Sequence, residues 1–124
     1  MWIEDTLKNR KNLHKAVCRL KYGDFESIER MKFISEWTSF YAAGIKLDIM
    51  TEMKGLEEYS FGECYKIALI SNLEGIKVPF LHINHPIQNK KAVNRPKDQL
   101  DVIYLEKIKQ ILEEEEQKNQ SKAN

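Results

Sequence analysis

Hydrophobic positions in the first half of the chain recur at helical spacing. They fall at steps of three or four, with one step of seven, which is the period of one face of an α-helix. The positions are Met31, Ile34, Trp37, Tyr41, Ile45, Ile49 and Leu56. This pattern predicts a central helix over residues 24–55 with its aromatic residues in the core. Gly44 costs about 1 kcal/mol relative to alanine in a helix interior, which favours a break into two helices there.

A second helical pattern precedes this segment. Residues 3–21 carry Leu13, Val17 and Leu20 on one side when successive residues are placed 100° apart. Asp5 or Thr6 suits the start of this helix, and a glycine, Gly23, follows its end.

The segment after Gly55 allows two interpretations. Ser60 followed by Glu63 matches the reciprocal capping pattern and predicts a helix over about 61–73. The alternative is a β-hairpin in which residues 65–71 and 76–83 are the strands and Asn72–Gly75 is the turn, because both runs are rich in isoleucine, valine, leucine and tyrosine. Residues 76–83 are extended in either case, since Pro79 is incompatible with a helix interior.

The C-terminal third divides into a polar stretch and a helix. Residues 84–97 combine prolines, asparagines and lysines with little apolar pattern, which predicts an exposed basic loop. Residues 98–116 carry a wide apolar face and predict a last helix that packs on the domain or on a second copy. We expect a homodimer through this helix. Residues 1–112 then form a single helical domain, followed by a frayed acidic and polar tail over 113–124.

These elements predict a mainly α fold. Four to five helices surround the central helix at 24–55, with one short extended segment at 76–83 and a C-terminal helix. The order of helices, extended segment, basic loop and C-terminal helix is also that of a winged helix, although element order alone does not define a function.

The chain of 124 residues suits one compact domain. The longest uncharged stretch of the central segment, 37–45, is too short to span a bilayer, and acids stand where a signal peptide has bases. We therefore expect a cytoplasmic protein without a membrane partner. Small size with many lysines, isoleucines and asparagines is typical of accessory proteins from AT-rich bacterial genomes, phages and plasmids.

Charge is segregated along the chain although the net charge is only +1. Residues 6–23 contain six bases and no acid, and residues 75–97 contain five bases and no acid. Basic side chains on one face bind a phosphate backbone by displacing counterions. The pattern predicts a DNA-binding or RNA-binding protein whose phosphate contacts come from the first helix and the loop, namely Lys8, Lys11, Lys15, Arg19, Lys90, Lys91, Arg95 and Lys97.

Two other interpretations of the charge blocks stay open. The basic patches are either solvated or neutralised by the chain's own acids. Alternatively, the protein is a binding module for another protein, such as an inhibitor, an immunity protein or an assembly adaptor. Trp2 must fold back onto the domain or sit in an interface, so it is the candidate partner-binding residue.

The sequence predicts neither catalysis nor a cofactor. Cys18 and Cys64 lie in amphipathic segments outside any CxxC pair, and we expect reduced thiols. His82 and His85 have a spacing that metal sites use, and His14 lies one helical turn before Cys18. On a strand, however, residues three apart face opposite sides, so no metal site is predicted. With no orienting acid placed near a nucleophile, we do not expect an enzyme.

Overall fold

The computed structural model describes residues 1–20, 25–33, 37–42 and 44–124, without the side chains of Phe40 and Ala42. The chain forms two compact units, Met1–Met53 and Lys54–Asn124. The described residues build five helices and two small antiparallel sheets. The prediction of a mainly α fold around a central helix is therefore wrong, because the protein is mixed α/β.

The first unit contains two helices and a hairpin. Helix α1 spans Leu7–Arg19 and helix α2 spans Ser27–Arg30. Strand β1, Thr38–Ala42, pairs antiparallel with strand β2, Ile45–Ile49. Gly44 lies in the turn between the strands with φ +73°, a conformation that glycine adopts without a steric cost.

The predicted central helix over 24–55 fails because its spacing is ambiguous. Trp37, Tyr41, Ile45 and Ile49 recur at steps of four, and four is both close to one helical turn and a multiple of the two-residue strand period. The segment forms strands β1 and β2, and Gly44 lies in the turn between them rather than breaking a helix. Trp37 and Tyr41 are exposed, so their predicted place in the core is also wrong. Gly23, predicted to follow the first helix, and Asp24 and Ile34 of the predicted central helix lie outside the described residues.

The core of the first unit joins α1, α2 and β2. Val17 and Ile28 are buried, with Leu13, Phe25 and Leu47 packed against them. The predicted cap of α1 is confirmed, since the Thr6 hydroxyl accepts a hydrogen bond from the Asn9 backbone N–H at 3.1 Å. The predicted apolar side of α1 is confirmed at Leu13 and Val17. Leu20 lies beyond the end of the helix and is exposed.

The second unit contains three helices and a second hairpin. Helix α3 spans Phe61–Lys66, strand β3 spans Leu69–Leu73 and strand β4 spans Ile76–Phe80. The Ser60–Glu63 capping box is confirmed, but its helix ends at Lys66, and the hairpin alternative describes the residues that follow. Glu74 and Gly75 form the turn with φ +51° and +85°. A two-residue hairpin loop of type I′ requires positive φ at both of its residues.

Residues 84–97 are not the predicted basic loop. Helix α4 spans Asn84–Val93 and helix α5 spans Pro96–Ala123. Pro86 is accommodated because it lies in the first turn of α4, where backbone N–H groups have no intrahelical partner. Asn94 ends α4 in the left-handed conformation, and Pro96 occupies the first position of α5, which suits its fixed φ.

Helix α5 begins earlier and ends later than predicted. It continues through the exposed acidic residues 113–116 to Ala123, and the predicted domain boundary at residue 112 stays a prediction.

The buried apolar side chains of this unit are Leu56, Cys64 and Ile87. No helix in the described part of the chain combines the length and the apolar character needed to cross a bilayer.

Candidate nucleic-acid interface

Helix α1 presents four of the predicted phosphate-binding residues as one stripe. Lys8, Lys11, Lys15 and Arg19 are all exposed and follow one another at steps of three and four, on the side away from buried Val17. Among the described residues, no carboxylate lies within salt-bridge distance of any of the four. We call Lys8, Lys11, Lys15 and Arg19 the α1 stripe.

Two further polar residues define the limits of this stripe. Asn12 follows Lys8 by one turn and is exposed at the edge of the stripe, so its amide can add a hydrogen bond to a phosphate or a base edge. Arg10 lies outside it, because its guanidinium pairs with Asp5 at 3.2 Å and donates to the Met31 carbonyl at 3.1 Å. The stripe therefore consists of cations that the described chain leaves available to an external anion.

The second predicted group of cations is largely engaged within the chain. Lys90 Nζ donates to Asp98 Oδ1 at 3.0 Å and to Asp101 Oδ2 at 2.7 Å. Arg95 donates to the same Asp98 carboxylate through Nε at 2.6 Å and Nη2 at 3.1 Å. Lys91 Nζ lies 2.5 Å from Glu106 Oε1. These three cations neutralise acids of α5, which is one of the alternatives that the charge pattern left open.

Lys97 differs from the other three cations of that group. It is exposed on the first turn of α5, and in the part of the chain that the structure describes it has no carboxylate within salt-bridge distance. The structure therefore separates the eight predicted residues into the α1 stripe, three engaged cations and Lys97.

Asp98 is the residue that organises the start of α5. Its side chain is buried, and besides the two cations it accepts a hydrogen bond from the Arg95 backbone N–H at 3.1 Å. Hydrogen bonds from Arg95, and next from Lys90, hold the pKa of this carboxyl far below its ordinary value, whereas burial acts in the opposite direction. Its ionised form is therefore part of the folded state.

The Asp98 network predicts a pH dependence of stability. Because the pKa is lower in the folded than in the unfolded chain, the network stabilises the fold above the unfolded value of about 3.9 and this contribution is lost as the pH falls below it. We expect Asp98→Asn to lower the melting temperature by on the order of 5 °C at neutral pH. Thermal unfolding at a series of pH values should show the gap between wild type and variant closing at low pH. A gap that stays constant would contradict this role.

Trp2 lies half-buried against the first unit. Its indole N–H donates to the Thr51 carbonyl at 3.0 Å, and its backbone bridges Met50 in a parallel pairing. Ile3 N–H donates to the Met50 carbonyl at 3.0 Å. The candidate partner-binding residue thus folds back onto its own unit, which is one of the two arrangements that the sequence allowed.

The candidate metal pairs lie in different surroundings. His14, on α1, has its Nδ1 atom 2.8 Å from Oε1 of Glu29, which belongs to α2. The rings of His82 and His85 meet edge to face with centroids 6.4 Å apart. Among the described residues, no group of three His, Cys, Asp or Glu side chains is arranged to hold a metal ion.

Cys64 and His85 form a buried pair that the sequence did not connect. The thiol Sγ lies 3.8 Å from His85 Nε2, and Tyr59 packs against the imidazole with ring centroids 5.4 Å apart. Burial raises the pKa of the Cys64 thiol and lowers the pKa of His85. Both changes favour neutral groups, so the arrangement is that of a packed core pair rather than a thiolate nucleophile with an imidazolium partner.

Sequence reasoning missed Asp98, Asn12 and the Cys64–His85 contact. A signal for Asp98 was present, since an acid at the third position of a helix that begins at Pro96 suits a helix start. The contact between Cys64 and His85 joins residues 21 apart, and no local pattern encodes such a pair. The sequence matches no protein-family model, and neither a curated protein nor a solved structure is significantly similar to it.

Proposed function

We propose that the protein is a small cytoplasmic accessory protein that binds nucleic acid through the α1 stripe. The observation that carries the proposal is the exposure of four cations on one face of α1, with no carboxylate paired to them among the described residues. The engaged cations Lys90, Lys91 and Arg95 are left out of the proposed interface. The interface is thus narrower than the eight residues that the sequence indicates.

The physical basis is counterion release. A cation that contacts a phosphate releases a condensed counterion into solution, which favours binding most strongly at low salt. Lys90 and Arg95 gain little from a phosphate, because contact with it would require leaving the Asp98 carboxylate. The α1 stripe has no such internal competitor among the described residues, so it is the better phosphate-binding surface.

The test is a titration of the full chain against labelled duplex DNA, single-stranded DNA and RNA at several salt concentrations. We expect binding to at least one of them, weakening steeply with salt, and the three probes identify the preferred class. No binding to any of the three probes at low ionic strength would contradict the proposal.

A second candidate function, a protein-binding module, is supported by the β3–β4 hairpin. The register pairs Leu69 with Phe80 and Leu73 with Ile76 on one face, and all four side chains are about half exposed or more. A solvated apolar face of this kind marks an interaction surface in many proteins. Isolation from the native host in the presence of nuclease separates the two functions, because only a protein partner is retained after nucleic acid is digested.

A further inference from the structure

Helix α5 has two apolar faces, of which one is open to solvent. Val102 and Leu105 are partly buried on the side of Asp98. Beside this buried side, a second set of apolar side chains recurs at steps of four, four, three and one, and each member is between 40% and 66% exposed: Leu100, Tyr104, Ile108, Ile111 and Leu112. We call these five residues the α5 stripe. The solvent face of a surface helix is typically polar, and a row of exposed apolar side chains marks an interaction surface.

The charges at the two ends of the α5 stripe are opposite in sign. Lys97 precedes the stripe and Glu115 follows it. Their separation, 115 − 97 = 18 residues, corresponds to five full turns of an α-helix. Both therefore lie on the same line along α5, and both are exposed. This line passes through the middle of the stripe.

The pattern is self-complementary under an antiparallel two-fold rotation. In the register that places Lys97 against Glu115, positions whose numbers add to 212 lie at the same height. Tyr104 then meets Ile108 at the centre of the interface, and Leu100 and Leu112 lie level with each other at its two edges. Ile111 lies level with Asp101, whose carboxylate is paired with Lys90. Each match occurs twice, as an interface between identical surfaces requires. We propose that two copies of this chain associate antiparallel through the α5 stripe, with Lys97 of each copy against Glu115 of the other.

The charge pattern and the apolar area both favour a second copy in this orientation. A parallel pair would bring Lys97 against Lys97 and the four acids 113–116 against their own copies, which repel. Each side chain of the stripe leaves on the order of 100 Å² exposed, so two copies together remove on the order of 1,000 Å² from water, which is the lower range for a specific interface. This inference is independent of nucleic-acid binding.

Sedimentation of the full chain and three charge variants tests the proposal. The wild type should be a dimer at micromolar concentration. Lys97→Glu and Glu115→Lys should each raise the dissociation constant by about fivefold, since each change breaks two symmetric pairs. The double variant should return to within about twofold of the wild type. A monomeric wild type at about 100 µM, or a double variant weaker than either single variant, would overturn the proposal.

Cross-linking distinguishes the two orientations. Tyr104→Cys and Ile108→Cys are made separately in a Cys18→Ser background, where the remaining native thiol, Cys64, is buried. When the two proteins are mixed under oxidation, an antiparallel pair forms the mixed disulfide, because a disulfide needs Cβ atoms about 4 Å apart. Disulfides formed by each variant with itself, and absent from the mixture between the two, would overturn the antiparallel arrangement. Circular dichroism of each variant confirms that its helices are intact.

Discussion

Replacing Lys8, Lys11, Lys15 and Arg19 together by glutamine is expected to weaken nucleic-acid binding by about 10⁴-fold at about 0.1 M salt, because each of the four phosphate contacts contributes roughly tenfold there. Glutamine and lysine have similar helix propensities, and all four side chains are exposed, so α1 should keep its structure. Fluorescence anisotropy with a labelled oligonucleotide measures the change.

A second quadruple variant separates the α1 stripe from net charge. Both variants change the net charge from +1 to 1 − 4 = −3. In the control the same substitution is made at four exposed lysines elsewhere, Lys32, Lys66, Lys77 and Lys122. We expect the control to lose less than about tenfold, because distant charges are screened at this salt concentration. Equal losses in the two variants would mean that total charge, rather than the α1 stripe, determines binding.

Gly55→Ala is expected to destabilise the protein by about 2–4 kcal/mol, since it combines backbone strain with overpacking. Gly55 has φ +85°, and an added Cβ would lie 2.7 Å from Ala92 Cβ and 3.0 Å from the Gln88 carbonyl oxygen of α4. The segment is held there by a hydrogen bond of 2.8 Å from the Asn89 side chain to the Lys54 carbonyl. Urea unfolding followed by circular dichroism measures the loss.

Two matched variants separate the causes of this loss. Gly75 has the same φ of +85° but nothing within 4 Å of an added Cβ, so Gly75→Ala reports the strain alone, about 1 kcal/mol. Combining Gly55→Ala with Ala92→Gly removes the closest contact and should recover part of the loss. If Gly55→Ala costs no more than Gly75→Ala, the close packing of Gly55 on α4 makes no contribution.

Local signals in the sequence predicted several elements correctly. Thr6 and the Ser60–Glu63 pair mark helix starts through hydrogen bonds to residues three positions away, and such bonds depend little on the rest of the fold. Gly75 likewise ends up in a hairpin turn with positive φ. The exposure of the α1 stripe followed from its position opposite Leu13 and Val17. When one side of a surface helix is buried in the core, the opposite side faces the solvent.

Other features depend on partners distant in sequence. Residues 37–49 satisfy both the helical and the strand period, and the pairing of β1 with β2 decides between them. The cations Lys90 and Arg95 looked available because the acid that binds them, Asp98, belongs to the next helix. Charge blocks along a sequence therefore identify candidate cations, whereas the fold determines which of them an external phosphate can use.

The most direct test of the α1 interface is the slope of the logarithm of the binding constant against the logarithm of salt concentration. Four phosphate contacts at about 0.9 counterion each predict a slope of about −3.6 on duplex DNA. The quadruple glutamine variant of α1 should have a slope near zero, whereas the control variant should keep the wild-type slope. A wild-type slope near zero, or a wild-type slope retained by the α1 variant, would contradict the proposed function.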